Sequence, residues 1–299
     1  MRRLIVVYNP NSSQYIHVEK EVLSRIRKIQ GYVIGKFAIK KTDFETNVKS
    51  LKSLLRAHDT VIAAGGDATA AVAVNAILES KKDITLGVLP YGNFNDLART
   101  LGTMKYDDIS ASIAKLYPLD IIVDGKHWRY ATCYTTIGMT AEAVELFDNP
   151  KIRAKMQQGH RSSWRSYLQL ASWYFKNRHR KQFLPEFRLN GKLIHPKTSD
   201  YAAVNGYSMC RVMRGGRDYL KPHIFRSETE RTTSFLRLFM LMAKSILHRV
   251  PGCDTEGDLL EFVRPSTVEI QAEGEYRTFE NVRRIEIKKP AQYLKVIHK

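Results

Sequence analysis

The chain has 299 residues, 48 of them Lys or Arg against 30 Asp or Glu, so it carries a net charge of +18 on an ordinary 43% hydrophobic composition. This length predicts two domains with a core each, and the charge surplus selects anionic partners: nucleic acid, an anionic membrane face or phosphorylated small molecules. Three dispersed cysteines (Cys133, Cys210, Cys253) argue against a disulfide framework or a structural zinc and fit a reducing cytoplasm, while the longest apolar run, Phe235 to Leu247, contains Arg237 and Lys244 and is too short to span a bilayer.

The apolar run after Met1 is too short for a secretory leader and ends at Asn9-Pro10, so Leu4 to Tyr8 is read as a first strand. Val18, Val22, Ile26 and Ile29 then recur at helical spacing, Gly31 stops that helix, and Val33 to Ile39 returns as a strand. Lys40 to Asp43 leads into a helix marked by Val48, Leu51 and Leu55. Thr60 to Ala64 is the next strand, running into Gly65-Gly66-Asp67 and a helix, Thr69 to Leu78, that is apolar on nearly every side. Ile84 to Leu89 is a further strand that runs into the turn Pro90 to Asp96. Strand–helix alternation with continuously apolar strands predicts a parallel sheet covered on both faces.

Beyond about Pro118 the pattern changes to antiparallel. Asp124-Gly125 and Asn190-Gly191 each sit between two short β-type runs and predict two-residue hairpins. Asp200 to Asn205, Asp258 to Arg264, Thr267 to Gln271, Arg283 to Lys288 and Tyr293 to Ile297 add short strands. The expected fold is therefore an α/β parallel-sheet domain over 1–118, with the last strand (290–299) as a candidate to complete it. A mainly antiparallel β-sandwich follows over 119–289, with helical insertions at 149–181 and 232–250. The first insertion holds nine Lys or Arg and no Asp or Glu, interleaved with Trp164, Tyr167, Trp173, Tyr174 and Phe175. It reads either as a solvated charged face packed by its aromatics or as a surface for anionic lipid. No groove-reading motif accompanies it, so nucleic acid is not expected. The Met-rich second insertion reads as core or as the wall of a lipid-chain pocket.

Two strand–turn–helix corners carry the chemistry. Backbone amides and helix N-termini at such corners receive phosphate, and two corners from neighbouring parallel strands would line one crevice. Asn9-Pro10-Asn11-Ser12-Ser13, Gly65-Gly66-Asp67-Ala68-Thr69 and Pro90-Tyr91-Gly92-Asn93-Phe94-Asn95-Asp96-Leu97-Ala98-Arg99 resemble, in order and spacing, the three signatures of the diacylglycerol-kinase catalytic family. That family includes bacterial lipid kinases and sphingosine kinases and is similar in core fold to NAD kinases and phosphofructokinases. The third signature favours the lipid kinases over the NAD kinases, which share only the glycine-aspartate element.

The resemblance implies an ATP-dependent kinase that moves the γ-phosphoryl group to a lipid hydroxyl of diacylglycerol type, with Mg²⁺, at a cytoplasmic membrane surface. It implies a nucleotide site of Asn9, Ser12, Ser13, Thr42, Gly65, Gly66, Thr69, Gly92, Asn93 and Asn95. The catalytic residues would be Asp67, Asp96 and Glu275, the last from Glu273-Gly274-Glu275 in the place of a family Asp-Gly-Glu whose Glu resembles a general base. Two carboxylates beside a triphosphate need a cation between them, so Asp67 and Asp96 are also expected to hold Mg²⁺ through water. Departures from the family pattern are Ala68 and Ser13 for Gly, Asn93 for Thr, and Val72 for Glu. An Asp-Gly metal element is also missing after Gly215-Gly216, where the chain is expected to run through His223 to Glu228 into a helix. These departures leave a second reading open, a family member that binds nucleotide or lipid without turnover, and a third, an NAD-kinase-type enzyme. Exposed sheet edges leave room for a homodimer.

Overall fold

The computed structural model describes residues 2–12, 14–26, 31–92, 94–102, 112–138, 140–141, 172, 184–194, 197–209, 213–214, 224–230, 240, 244 and 252–299. Nearly all of 149–181 and 232–250, the Gly215-Gly216 element, Ser13 and Asn93 lie outside the described residues.

The first half alternates strand and helix. In chain order it comprises β1 (Arg2–Tyr8), α1 (Tyr15–His17) continued by a π-helical segment Val18–Leu23, β2 (Tyr32–Ala38), α2 (Phe44–Leu54), β3 (Thr60–Gly65), α3 (Asp67–Ser80), β4 (Thr85–Pro90), α4 (Asp96–Thr100) and β5 (Ser112–Leu116). Helix α2 starts where Asp43 accepts the Thr46 amide at 2.7 Å, an N-cap worth about 1 kcal/mol. It buries Asn47, Val48 and Leu51 at helical spacing. Helix α3 buries every residue from Thr69 to Leu78, because it is packed between the sheet, α2 and the second half of the chain. Val61, Ile62, Ala63 and Ala64 on β3 are all at most 1% exposed, which is why that strand shows no alternation: both faces of the sheet are covered.

The second half is antiparallel: β6 (Leu119–Val123), β7 (Lys126–Ala131), β8 (Tyr134–Gly138), β9 (Phe187–Leu189), β10 (Lys192–Leu193), β11 (Thr198–Val204), β12 (Ser208–Met209), β13 (Met213–Arg214), β14 (Ile224–Glu230), β15 (Cys253–Thr255), β16 (Gly257–Ala272) and β17 (Glu275–Lys288). Both expected hairpins form on residues with positive φ, Asp124 and Gly125 (48° and 77°) and Asn190 and Gly191 (49° and 83°), as a two-residue turn demands. The sheet runs β15-β14-β11-β8-β16-β17-β6-β7, with the β9–β10 hairpin attached to β16. It curls on itself as one sheet, around a core of Leu119, Ile121, Ile137, Phe187, Tyr201, Leu260, Ile270 and Ile285.

Two expectations are corrected here. The segments Asp258 to Arg264 and Thr267 to Gln271 are one strand, β16. Pro265 falls at an exposed register shift between Glu261 and Val268, where a missing N–H costs no ladder bond. Strand β16 thereby serves two neighbours, pairing with β9 through Leu260 and with β8 through Ile270. The segment His223 to Glu228, expected to run straight into a helix, instead falls from Ile224 onward in strand β14, which pairs with β11 on one side and β15 on the other.

The last strand, β18 (Leu294–His298), returns to the first half, lying parallel to β4 and antiparallel to β5, so the first sheet reads β2-β1-β3-β4-β18-β5. The chain thus crosses between its halves twice. The two crossings touch, the Tyr117 and Tyr293 ring centroids being 5.9 Å apart, with Lys115 Nζ 4.5 Å from the Tyr293 ring. A further tie comes from Asn75 in α3, whose Oδ1 accepts the Tyr130 amide of β7 at 2.9 Å while its Nδ2 donates to the Tyr130 carbonyl at 3.0 Å.

Candidate active site

The parallel strands β2, β1, β3 and β4 are neighbours, so their carboxyl ends form one edge, and the turns that follow them meet there. The two glycine corners are in contact. Gly65 pairs with Pro90 in the ladder, and the Tyr91 amide donates to the Gly65 carbonyl at 3.0 Å. A Cβ on Gly92 would lie 2.3 Å from the Gly66 Cα, and one on Gly66 would lie 3.1 Å from the Gly92 Cα. Gly65 faces Thr69 instead, where an added Cβ would fall 2.4 Å from the threonine Oγ1. The glycines are needed first so that the two turns can lie against each other.

Asn95 locks the second corner. It adopts a left-handed φ of 54°, and its side chain makes two bonds to one residue, accepting the Gly92 amide and donating to the Gly92 carbonyl, both at 2.7 Å. This delivers the start of α4 to the first residue of α3. Asp67 accepts the Leu97 amide at 3.4 Å, so its carboxylate faces the N-terminus of α4. Burial and the nearby Asp96 carboxylate push Asp67 up to about 7, against the pull of the α4 amides. Asp96 is itself fully buried and ion-paired with Arg99 one turn along. Among the described residues no three His, Cys, Asp or Glu side chains are grouped as a metal site.

At the ends of β1 and β2, Asn9 closes a turn by accepting the Asn11 amide at 2.9 Å, and the Ser12 Oγ is buried with no partner among the described residues. Thr42 lies exposed before α2 and accepts from Asn47 Nδ2 at 3.1 Å. Ala68, in the place of a family glycine, sits in the first turn of α3 and has no positive φ, so the alanine carries no backbone strain. Val72 is buried in the same helix.

The opposite wall comes from the antiparallel half. The turn between β16 and β17 presents two glutamates in very different surroundings. Glu273, at φ 51°, is 4% exposed, and its Oε1 accepts the Thr132 amide (2.6 Å), the Thr132 hydroxyl (2.5 Å) and the Cys133 amide (2.5 Å). Burial pushes it up to about 7 despite those donors, and Asp67 across the seam adds to the shift. Glu275 is more open and lies 3.9 Å from Arg129 Nη1. Asp67 thus feels both Asp96 and Glu273, and all three carboxylates lie within electrostatic range of the buried Cys133 thiol, which burial pushes well up. Glu273 was missed in the sequence, although it stands two residues before the glutamate singled out there.

Arg129 completes this wall. It is 4% exposed, its guanidinium carbon lies 3.6 Å from the centroid of the Phe44 ring, and its Nη2 donates to Glu45 at 3.1 Å. Burial works against its charge, with Glu275 and Glu45 opposing that effect.

Comparison with known proteins agrees with the signatures. Residues 3–125 match the family model for the diacylglycerol kinase catalytic domain. A diacylglycerol kinase of Bacillus subtilis (strain 168) is 34% identical over 114 residues, which are 38% of this chain and 37% of that protein. One from Staphylococcus epidermidis (strain ATCC 12228) is 32% identical over 126 residues, 42% of this chain and 37% of its own length. The matched segments thus span well under half of these curated relatives. A crystal structure of a diacylglycerol kinase from Bacillus anthracis str. Sterne superposes over 100% of this chain and 97% of that chain, with a TM-score of 0.66 at 14% identity. The two share a fold, a parallel-sheet domain followed by an antiparallel curled one.

Proposed function

We propose that this chain is a lipid kinase that moves the γ-phosphoryl group of ATP to a lipid hydroxyl of diacylglycerol type at a membrane surface. The observation that carries the reading is the back-to-back packing of the Gly66 and Gly92 corners, with the Asp67 carboxyl held at their junction. The residues fit a nucleotide polyphosphate. The corners offer backbone amides and the start of α3, and Ser12 offers an unused buried hydroxyl. ATP would supply the phosphoryl group and Mg²⁺ would offset its charge. Asp67, whose ionisation is opposed by burial and by Asp96, gains most from a cation, which it would hold through water. Asn9, Ser12 and Thr42 would orient the nucleotide, Asn95 would keep the Gly92 corner in register, and the Glu273-Gly274-Glu275 turn would face the lipid hydroxyl and accept its proton. Transfer of this kind rests on positioning and charge neutralisation, which such a cleft provides.

Among the described residues no helix is long and apolar enough to cross a membrane. The net charge of +18 and the basic, aromatic stretch 149–181 support peripheral attachment to anionic lipid. The test is transfer of labelled phosphate from ATP to mixed micelles of diacylglycerol, monoacylglycerol and sphingoid bases. Lipid-dependent transfer is expected, and Asp67→Ala is expected to remove it while keeping the melting curve of the parent. A folded parent protein inert on the whole panel refutes the reading.

A further inference from the structure

Arg129 has more hydrogen-bonding capacity than its surroundings use. Its Nε and Nη1 have no hydrogen-bond partner among the described residues, although the residue is 4% exposed. A guanidinium this buried costs several kcal/mol in desolvation unless its donors are filled. The groups around it are acidic: Glu45 at the start of α2, in the parallel-sheet half, bonded at 3.1 Å; Glu275 at the start of β17, in the antiparallel half, at 3.9 Å; and Glu273 within Coulomb range. Three carboxylates make an anionic ligand unfavourable here. The guanidinium carbon also lies 3.6 Å from the Phe44 ring centroid, a cation–π contact that packs the head against that ring. One side of a bridge between the halves is made, and the other stands about 1 Å beyond hydrogen-bond length.

We infer that Arg129 is a positioning residue that ties Glu45 of the nucleotide half to Glu275 of the lipid half, so that approach of the halves draws Glu275 into a charged hydrogen bond and fixes the carboxylate facing the lipid hydroxyl. The functional part rests on the lipid-kinase reading. The ion-pair geometry does not, and the two are tested separately.

Double-mutant cycles on urea unfolding, R129Q with E275Q and R129Q with E45Q, test the bridge without turnover. Each pair is expected to couple by at least threefold in the unfolding equilibrium constant, and strict additivity for Arg129 and Glu275 overturns the inference. In phosphoryl transfer, R129Q is expected to lower kcat at least tenfold while the KM for ATP stays within twofold. R129K should recover part of the loss, since it restores charge without the fork, and added guanidinium ion should partly rescue R129A where methylammonium does not. A kcat within twofold of the parent in R129Q, or a loss confined to the KM for ATP, overturns the role. If R129Q does not fold, R129K carries both measurements, and a parental kcat in R129K with additive cycles overturns the inference. Coupled cycles in a protein that transfers no phosphate would sink the kinase reading and leave the bridge standing.

Discussion

Exchanging Gly92 for alanine separates packing from ligand binding at the two corners. The new Cβ would sit 2.3 Å from the Gly66 Cα and 3.1 Å from the Gly66 nitrogen, both backbone atoms that no rotamer change can move. Restoring ordinary contact needs the turns to part by about 1 Å, and overpacking of this kind costs about 1–3 kcal/mol. The displacement falls on the Tyr91–Gly65 hydrogen bond and on the Asn95 clasp, which together hold the Gly92 corner in place. A 1 Å misplacement of reacting groups is worth about 10²-fold in rate. Alanine at Gly66 meets the opposing Cα at 3.1 Å, which a few tenths of an ångström relieve. Gly92→Ala should therefore melt several degrees lower, bind an ATP analogue at least tenfold more weakly by calorimetry and lose about 10²-fold in turnover, and Gly66→Ala should lose much less stability. Equal melting temperatures for Gly92→Ala and the parent, or a larger destabilisation by Gly66→Ala, would refute the contact argument.

Glu273 predicts a pH dependence. Its folded value of about 7 lies above its ordinary 4.5, so the fold favours the protonated form, and stability from this group is complete below about pH 4.5 and lost as pH rises through about 7. Glu273→Gln keeps an acceptor for Thr132 and Cys133 and removes the charge. Urea melts should show a flatter profile between pH 5 and 8, with the variant gaining up to roughly 3 kcal/mol on the parent at the upper end; parallel profiles would count against a buried, raised carboxyl. Asn75→Ala leaves the Tyr130 amide and carbonyl without their partner and should cost about 2–4 kcal/mol in denaturant unfolding. A loss under 1 kcal/mol would show that water replaces the amide.

What could be read from the sequence was what local chemistry dictates. Asp124-Gly125 and Asn190-Gly191 tolerate positive φ and made their hairpins visible; the continuous apolar runs at β3 and β4 revealed a sheet covered on both faces. The three signatures located the corner residues because each sits at a strand end. Non-local pairing was harder to read. Strand β14 reads Ile-Phe-Arg-Ser-Glu-Thr-Glu, without apolar–polar alternation and polar enough to pass for a helix lead-in, and exists because β11 and β15 flank it. Which of Glu273 and Glu275 turns inward depends on the register of β16 against β17 and on the approach of Thr132 and Cys133, some 140 residues away in sequence. Glycine at 66 and 92 suggested room for a phosphate. That the first demand on both is contact with each other is a fact of two strands lying side by side.

The paired crossings at Tyr117 and Tyr293 set how the molecule can flex. A single tether would let one lobe twist freely on the other; two tethers side by side, stitched by an aromatic contact and a lysine and backed by the Asn75 clasp on Tyr130, resist torsion. The Glu273-Gly274-Glu275 turn is thereby held at one bearing on the glycine corners, with Glu273 close enough to Asp67 to feel its charge. Aim, on this view, is built into the pivot.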